Sequence, residues 1–251
     1  MIKVDILASG SGGNCVALTT DQSTVLIDAG VAKTKIEKRL LEVGIKPNDI
    51  EAIFVTHAHG DHIKGLPLAN KYRILVYATY GEWKGISGVD DELQQLVETL
   101  HGVYETINLS GVIVQPFRTH HDAYEPIGYT VTDGETKVSI CLDTGKVDAE
   151  MLAAMSGSDS YIIEANHEPA MVEASDYPHT VQARILSDIG HLSNEQTATA
   201  LQRLVQGRGE KIFLTHLSSR NNMPILAEMT VKQSLIKRGL IAGKHYEIEV
   251  V

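Results

Sequence analysis

Apolar residues recur along the chain in short runs. KVDILA (3–8), TVLIDAG (24–30), EAIFVTH (51–57), RILVYA (73–78), VIVQPF (112–117), IGYTVT (127–132), KVSICLDTG (137–145), SYIIEA (160–165) and KIFLTH (211–216) are rich in Val, Ile, Phe and Tyr. Runs of this length, bounded by turn-forming residues, predict strands. Helical spacing separates several of them. In AKTKIEKRLLEVG the apolar positions Ile36, Leu40, Leu41 and Val43 form one stripe, and Gly44 supplies the stop. SNEQTATALQRLVQG offers Ser193 or Asn194 as an N-cap and ends at Gly207, and MPILAEMTVKQSLIKRG (223–239) repeats the form. The polar stretch SGVDDELQQLVETLHG (87–102) reads as a lid or variable segment.

The order is strands with a helix, more strands, and the same again after about Leu109. It predicts two similar halves, each a sheet covered by helices on its outer face. The expected architecture is α/β: a four-layer αββα sandwich, two mixed sheets flanked by helices, as one domain over residues 1–251.

Composition narrows this picture. The chain has 251 residues, 43% of them hydrophobic, enough for a large core. No apolar run is long enough for a membrane span, and MIKVDILASG reads as a first strand rather than a signal peptide. Two cysteines, Cys15 and Cys141, make no disulfide framework, so a reducing cytoplasm is the expected location. The formal net charge of −10 argues against broad electrostatic capture of a polyanion. Bound divalent metals would reverse the local field where it matters.

The decisive segment is IFVTHAHGDHIKG (53–65). A buried strand runs directly into His57, Ala58, His59, Gly60, Asp61 and His62. Strand alternation puts His57 and His59 on one face. Gly60 lets the chain turn, and Asp61 and His62 fall at the start of a helix. One turn thus delivers four ligands of the kind Zn²⁺, Mn²⁺ or Fe²⁺ accepts. A lone HxH would be a weak signal; here the turn, the ligand types and the spacing agree.

The segment resembles the signature of the metallo-β-lactamase superfamily. That resemblance implies a third His after a middle strand, a carboxylate bridging two metals, and a late His. VIVQPFRTHHDAYEPIGY offers both His120 and His121; His121 matches the family wording and His120 is the extra residue. SICLDTG supplies Asp143, and KIFLTHLSSRNN supplies His216. The implied assignment is His57, His59 and His121 on one divalent ion and Asp61, His62 and His216 on the other. Asp143 and a hydroxide would bridge them. His101, His167, His179 and His245 are expected in ordinary surface or supporting roles.

Two further segments resemble the tRNA 3′-processing endonuclease Z family. GHLSNEQTATAL carries His191 where that family has a proton donor to the leaving oxygen. YIIEANHE carries Glu164 where it has the carboxylate that orients the donor. Expelling an alkoxide from phosphorus needs such a proton. From end to end, the chain resembles the YycJ/WalJ family: ASGSGGNC, DAG, THAHGDHIKGL, HDAYEPIGY, DTG, EANHEP, RILSDIGHLSN and THLSSRNN occur in its order. The resemblance implies two-metal phosphodiester hydrolysis, with a DNA 5′-to-3′ exonuclease activity and DNA or another phosphodiester as substrate. Asp61 would also accept the attacking water's proton. Ala58 and Gly60 are smaller than the residues relatives often carry between the ligands. The competing reading is a small-molecule hydrolase of a cyclic phosphodiester, lactone or β-lactam. Oligomeric state is left open.

The loop LASGSGGNC (7–15) has the look of a nucleotide cradle but fails the pattern: Cys15 stands at the third glycine position, and a strand, CVALTT, follows instead of a helix. It predicts a strand-to-strand turn, and the family resemblance implies that this turn lies at the rim of the metal site. Ser9, Ser11 and Asn14 would contact substrate phosphate or brace the ligand loops, and Ser218 in THLSSRNN is a fourth candidate for substrate contact.

Overall fold

A computed structural model describes residues 1–251. The chain forms two compact units. One comprises residues 1–116 and 123–136, the other 117–122 and 137–251.

The first unit is built on a six-stranded mixed sheet. Its strands are β1 (Lys3–Ala8), β2 (Cys15–Thr19), β3 (Thr24–Ile27), β4 (Ile50–Phe54), β5 (Leu75–Thr79) and β6 (Gln94–Val97), in the spatial order β1-β2-β3-β4-β5-β6. The first three pair antiparallel; β3 to β6 run parallel. Parallel neighbours need crossovers, and α1 (Lys33–Glu42), α2 (Gly60–Ile63), α3 (Pro67–Tyr72) and α4 (Tyr80–Trp83) lie in them. The small hairpin β7 (Thr99–Leu100) and β8 (Val103–Tyr104) follows, then β9 (Ile107–Leu109), β10 (Val112–Arg118) and β11 (Ile127–Thr132). The core gathers Leu26, Ile36, Leu40, Ile53, Val55, Leu68 and Val76. Tyr129 of β11, fully buried, donates its hydroxyl hydrogen bond to the Val55 carbonyl, 2.7 Å away.

In the second unit β12 (Lys137–Cys141), β13 (Ser160–Glu164), β14 (Glu210–Thr215) and β15 (Tyr246–Val250) run parallel in that order. The helices are α5 (Ala149–Met155), α6 (Pro169–Glu173), α7 (His179–Ile185), α8 (Asn194–Leu204) and α9 (Pro224–Ile236). Its own core holds Cys141, Tyr161, Ile163, Leu201, Leu214, Val231 and Leu235. Ser193 is the N-cap of α8: its hydroxyl accepts from the Gln196 N–H and the Gln196 side chain returns the bond. Such a reciprocal cap contributes about 1 kcal/mol.

The α/β class and the mixed sheets agree with the sequence reading. Two details differ. Residues 87–102 are no lid: they contain β6, the edge of the six-stranded sheet, and the Trp83 indole donates to the Gln95 carbonyl at 3.0 Å. Leu41 lies off the buried stripe of α1 and is 61% exposed. No helix is long and apolar enough to cross a membrane.

Candidate metal centre

In the first unit, four candidate ligands leave β4 together. His57 and His62 are buried; His59 and Asp61 are half-buried. His57 Nε2 and His59 Nδ1 lie 3.1 Å apart, about the separation of two ligand atoms bound to one ion at 2.0–2.1 Å. Asp61 and His62 open α2 as the sequence predicts.

What holds this turn comes from far along the chain. Asp28 follows β3 with a φ of 60° and is fully buried. Its Oδ1 accepts from the Thr56 N–H at 2.8 Å, and its Oδ2 accepts from the Thr56 hydroxyl at 2.9 Å. The same Oδ2 lies 2.7 Å from His62 Nδ1. A carboxylate there keeps the proton on Nδ1 and the lone pair on Nε2, the arrangement a metal-bound imidazole requires. Gly30 closes the bracing: a Cβ on it would stand 1.7 Å from the Asp61 carbonyl oxygen. With only hydrogen there, Asn14 N–H donates to that carbonyl and Gly30 N–H donates to the Asn14 carbonyl.

The glycine loop is the β1–β2 turn. Ser11 is exposed and Ser9 half-buried. Asn14 is buried: its Oδ1 accepts from Gly10 N–H, and its Nδ2 lies 3.1 Å from His62 Nε2. Its contacts are those of a brace on the ligand turn.

In the second unit, five side chains converge: Asp143, Glu164 and His216 at the ends of the parallel strands β12, β13 and β14, His121 just after β10, and His191 just before α8. His121 Nδ1 donates to the Gly190 carbonyl at 2.9 Å, and its Nε2 lies 3.6 Å from Asp143 Oδ2. Burial pushes the His121 imidazole below its usual value, outweighing the Asp143 carboxylate, a direction that favours the neutral ring a metal ligand needs. Asp143 follows β12 and His216 follows β14, with φ of 45° and 54°. Non-glycine residues in this region are uncommon and cluster at functional sites. His216 Nδ1 lies 3.0 Å from Asp143 Oδ1. Asp143, Glu164, His191 and His216 each offer one donor atom, all within 4.8 Å of one another.

Glu164 ends β13 and is fully buried. Its Oε1 accepts from the N–H groups of Thr144 and Leu192; its Oε2 lies 3.0 Å from His191 Nδ1 and 3.4 Å from His216 Nδ1. Burial alone would raise this carboxyl, but the charge and hydrogen bond of His191, joined by His216, hold it below its usual range. For His191 the balance is the mirror image. Burial pushes it down and Glu164 outweighs that, leaving it above the ordinary imidazole value.

The extra His120 is committed elsewhere: its Nε2 lies 2.7 Å from Asp148, the N-cap of α5. Arg184 pairs with the Asp122 carboxylate. Ser218 accepts from Asn221 N–H at 3.1 Å and so closes the turn after His216. His101 sits in the β7–β8 turn, His179 begins α7 and His245 precedes β15. His167 is buried, and desolvation takes its imidazole down to about 4.

These donor sets suit a divalent metal. They pair imidazoles with carboxylates, and the rings of His62 and His121 have their Nδ1 protons anchored on protein acceptors. A family model described as a beta-lactamase superfamily domain matches residues 23–217. The chain is 35% identical over 248 residues to exodeoxyribonuclease YycJ of Bacillus anthracis, across 98% of this chain and 94% of that protein. The chain belongs to the YycJ/WalJ family of the beta-lactamase superfamily. Exodeoxyribonuclease WalJ of Streptococcus pneumoniae serotype 2 is 36% identical over 253 residues, covering 98% of this chain and 93% of the relative. Among solved structures, the metallo-beta-lactamase fold protein YhfI from Bacillus subtilis superposes with a TM-score of 0.73 at 15% identity, covering 100% of this chain and 95% of that one. That likeness shows the metallo-β-lactamase fold. Asp28, Thr56 and the Gly190 carbonyl are supporting groups that sequence spacing alone did not single out.

Proposed function

We propose that this protein is a metal-dependent phosphodiesterase of the nuclease type, acting on DNA as its YycJ and WalJ relatives are named to do. The observation that carries this reading is the Glu164–His191 pair at 3.0 Å, set beside Asp143 and His216. Acyl substrates with good leaving groups have little use for an anchored imidazolium; a phosphodiester expelling a sugar alkoxide does.

Two divalent ions, Zn²⁺ or Mn²⁺, complete the site in this proposal. His57, His59 and His121 would hold one, Asp61, His62 and His216 would hold the other, and the Asp143 carboxylate would serve both. When bound, such ions supply an acidified water and positive charge for the phosphoryl oxygens. The chain's own residues do the rest. Asp61 accepts a proton from the attacking water. Glu164 fixes the His191 ring by Nδ1, so that its Nε2 proton is the one delivered to the departing oxygen. Ser9, Ser11 and Ser218 are the candidates for contact with substrate phosphate, and Asn14 braces His62. The free, buried Cys15 and Cys141 suit a reducing cytoplasm. All of this is carried by one domain over residues 1–251.

End-labelled DNA of defined polarity, digested with each metal in turn, tests the reading. Stepwise shortening from the 5′ end, abolished by chelation and by His57→Ala, is expected. Cleavage of a chromogenic cephalosporin with DNA left intact would overturn it.

A further inference from the structure

A buried carboxylate that neither the ligand set nor the proton-handling pair uses sits against the HAH turn. Glu82 is on α4, immediately after β5, with none of its surface exposed. A carboxylate in such a place persists only if its oxygens are met by donors. Both are. Oε2 accepts from the Ala58 N–H at 2.7 Å, and Oε1 accepts from the Glu125 N–H at 2.6 Å. Ala58 is the residue between His57 and His59. Its N–H belongs to no strand or helix, since β4 ends at Phe54 and α2 begins at Gly60. Glu82 is therefore the partner of the amide N–H of the one residue that separates the two histidines.

The packing around the contact is equally close. A Cβ on Gly85 would come within 2.8 Å of the Ala58 Cβ, so both positions are confined to small residues where α4 meets the turn. On its other side α4 is clipped in place. Gly81 N–H donates to Glu125 Oε2 at 3.0 Å, and the Thr79 hydroxyl donates to the Glu125 carbonyl at 3.0 Å. The sequence Thr79-Tyr80-Gly81-Glu82 has the form of a capping box, and Thr79 does accept from the Glu82 N–H. The Glu82 carboxylate, however, leaves its own helix and is spent on Ala58 and Glu125.

We infer that Glu82 is a positioning residue for the metal centre: by gripping the Ala58 amide it fixes the His57–Ala58 peptide and keeps His57 Nε2 and His59 Nδ1 3.1 Å apart for a single ion. This rests on the proposed assignment of His57 and His59 as ligands of one metal. Groups that orient ligands in this way typically change metal affinity 10- to 100-fold when replaced.

The test is cobalt binding to the full-length protein, read without turnover. Co²⁺ alone is titrated into metal-free wild type and Glu82→Gln, followed by calorimetry and by the visible d–d spectrum, with near-ultraviolet circular dichroism as the check on folding. In E82Q the new amide must set its NH₂ against one of the two backbone N–H groups. The expected result is affinity weaker by about 10-fold or more, with a shifted, less intense d–d band. Glu82→Asp keeps the charge but is one methylene short of reaching both amides; it gives the same readout and replaces E82Q if that variant does not fold. A folded variant with wild-type affinity and spectrum overturns the inference and leaves the phosphodiester reading untouched. Weakened cobalt binding in the variant, together with a wild type that cleaves no phosphodiester, overturns the functional reading and leaves Glu82 in place.

Discussion

Glu164 Oε2 lies 3.0 Å from His191 Nδ1, while the opposite oxygen of the same carboxylate is held by two backbone N–H groups. The carboxylate cannot rotate away without abandoning both amides. His191 is thereby fixed in orientation and in tautomer, and its basicity is raised.

Replacing that carboxylate separates orientation from charge. In Glu164→Gln the amide oxygen can keep the Thr144 and Leu192 bonds, and the NH₂ then faces His191 Nδ1. The ring loses its anionic partner, so its affinity for a proton falls. Turnover of DNA should drop by about 10²-fold at pH 8, and the alkaline limb of the rate–pH profile should move to lower pH. An unchanged limb would show that Glu164 does not tune His191.

Asp143 and Glu164 are like charges in one buried group, and the Asp143 charge works against ionisation of Glu164. Asp143 also adopts a left-handed backbone that Asn tolerates well. Asp143→Asn should therefore raise the stability of the metal-free protein by about 1 kcal/mol while weakening metal binding. Urea unfolding with chelator present checks this; a lower midpoint for the variant would contradict it.

His167 gives a pH dependence of known sign. Its folded value is about 4, against about 6.5 for the unfolded residue. As pH falls from 6.5 to 4 the unfolded chain takes up a proton that the folded chain refuses. Stability is thus lost across that window and levels off below it, by up to about 3 kcal/mol. His167→Asn should flatten this part of the stability–pH curve. Parallel curves for the metal-free wild type and variant would rule it out.

What could be read from the sequence follows from range. The HAHGDH turn was legible because strand alternation, a glycine turn and ligand chemistry all act within six residues. His121, Asp143 and His216 were legible because each follows an apolar strand in a recognisable order. Asp28, Glu82 and the Gly190 carbonyl act on residues 34, 24 and 69 positions away, and no local periodicity records such pairings. The Thr79–Glu82 spacing even suggests a different job, since it reads as an ordinary helix cap. β6 escaped notice because an edge strand needs little burial: in Gln94–Val97 only Val97 is buried.

In the proposed reaction His191 protonates the leaving oxygen of a phosphodiester. His191→Ala, with metal content matched to wild type, should be measured on DNA and on bis-p-nitrophenyl phosphate, whose leaving group departs without a proton. A loss of about 10²- to 10⁴-fold on DNA, with turnover of the activated ester close to wild type, is the predicted result. Equal losses on both substrates, or no loss on DNA, would contradict it.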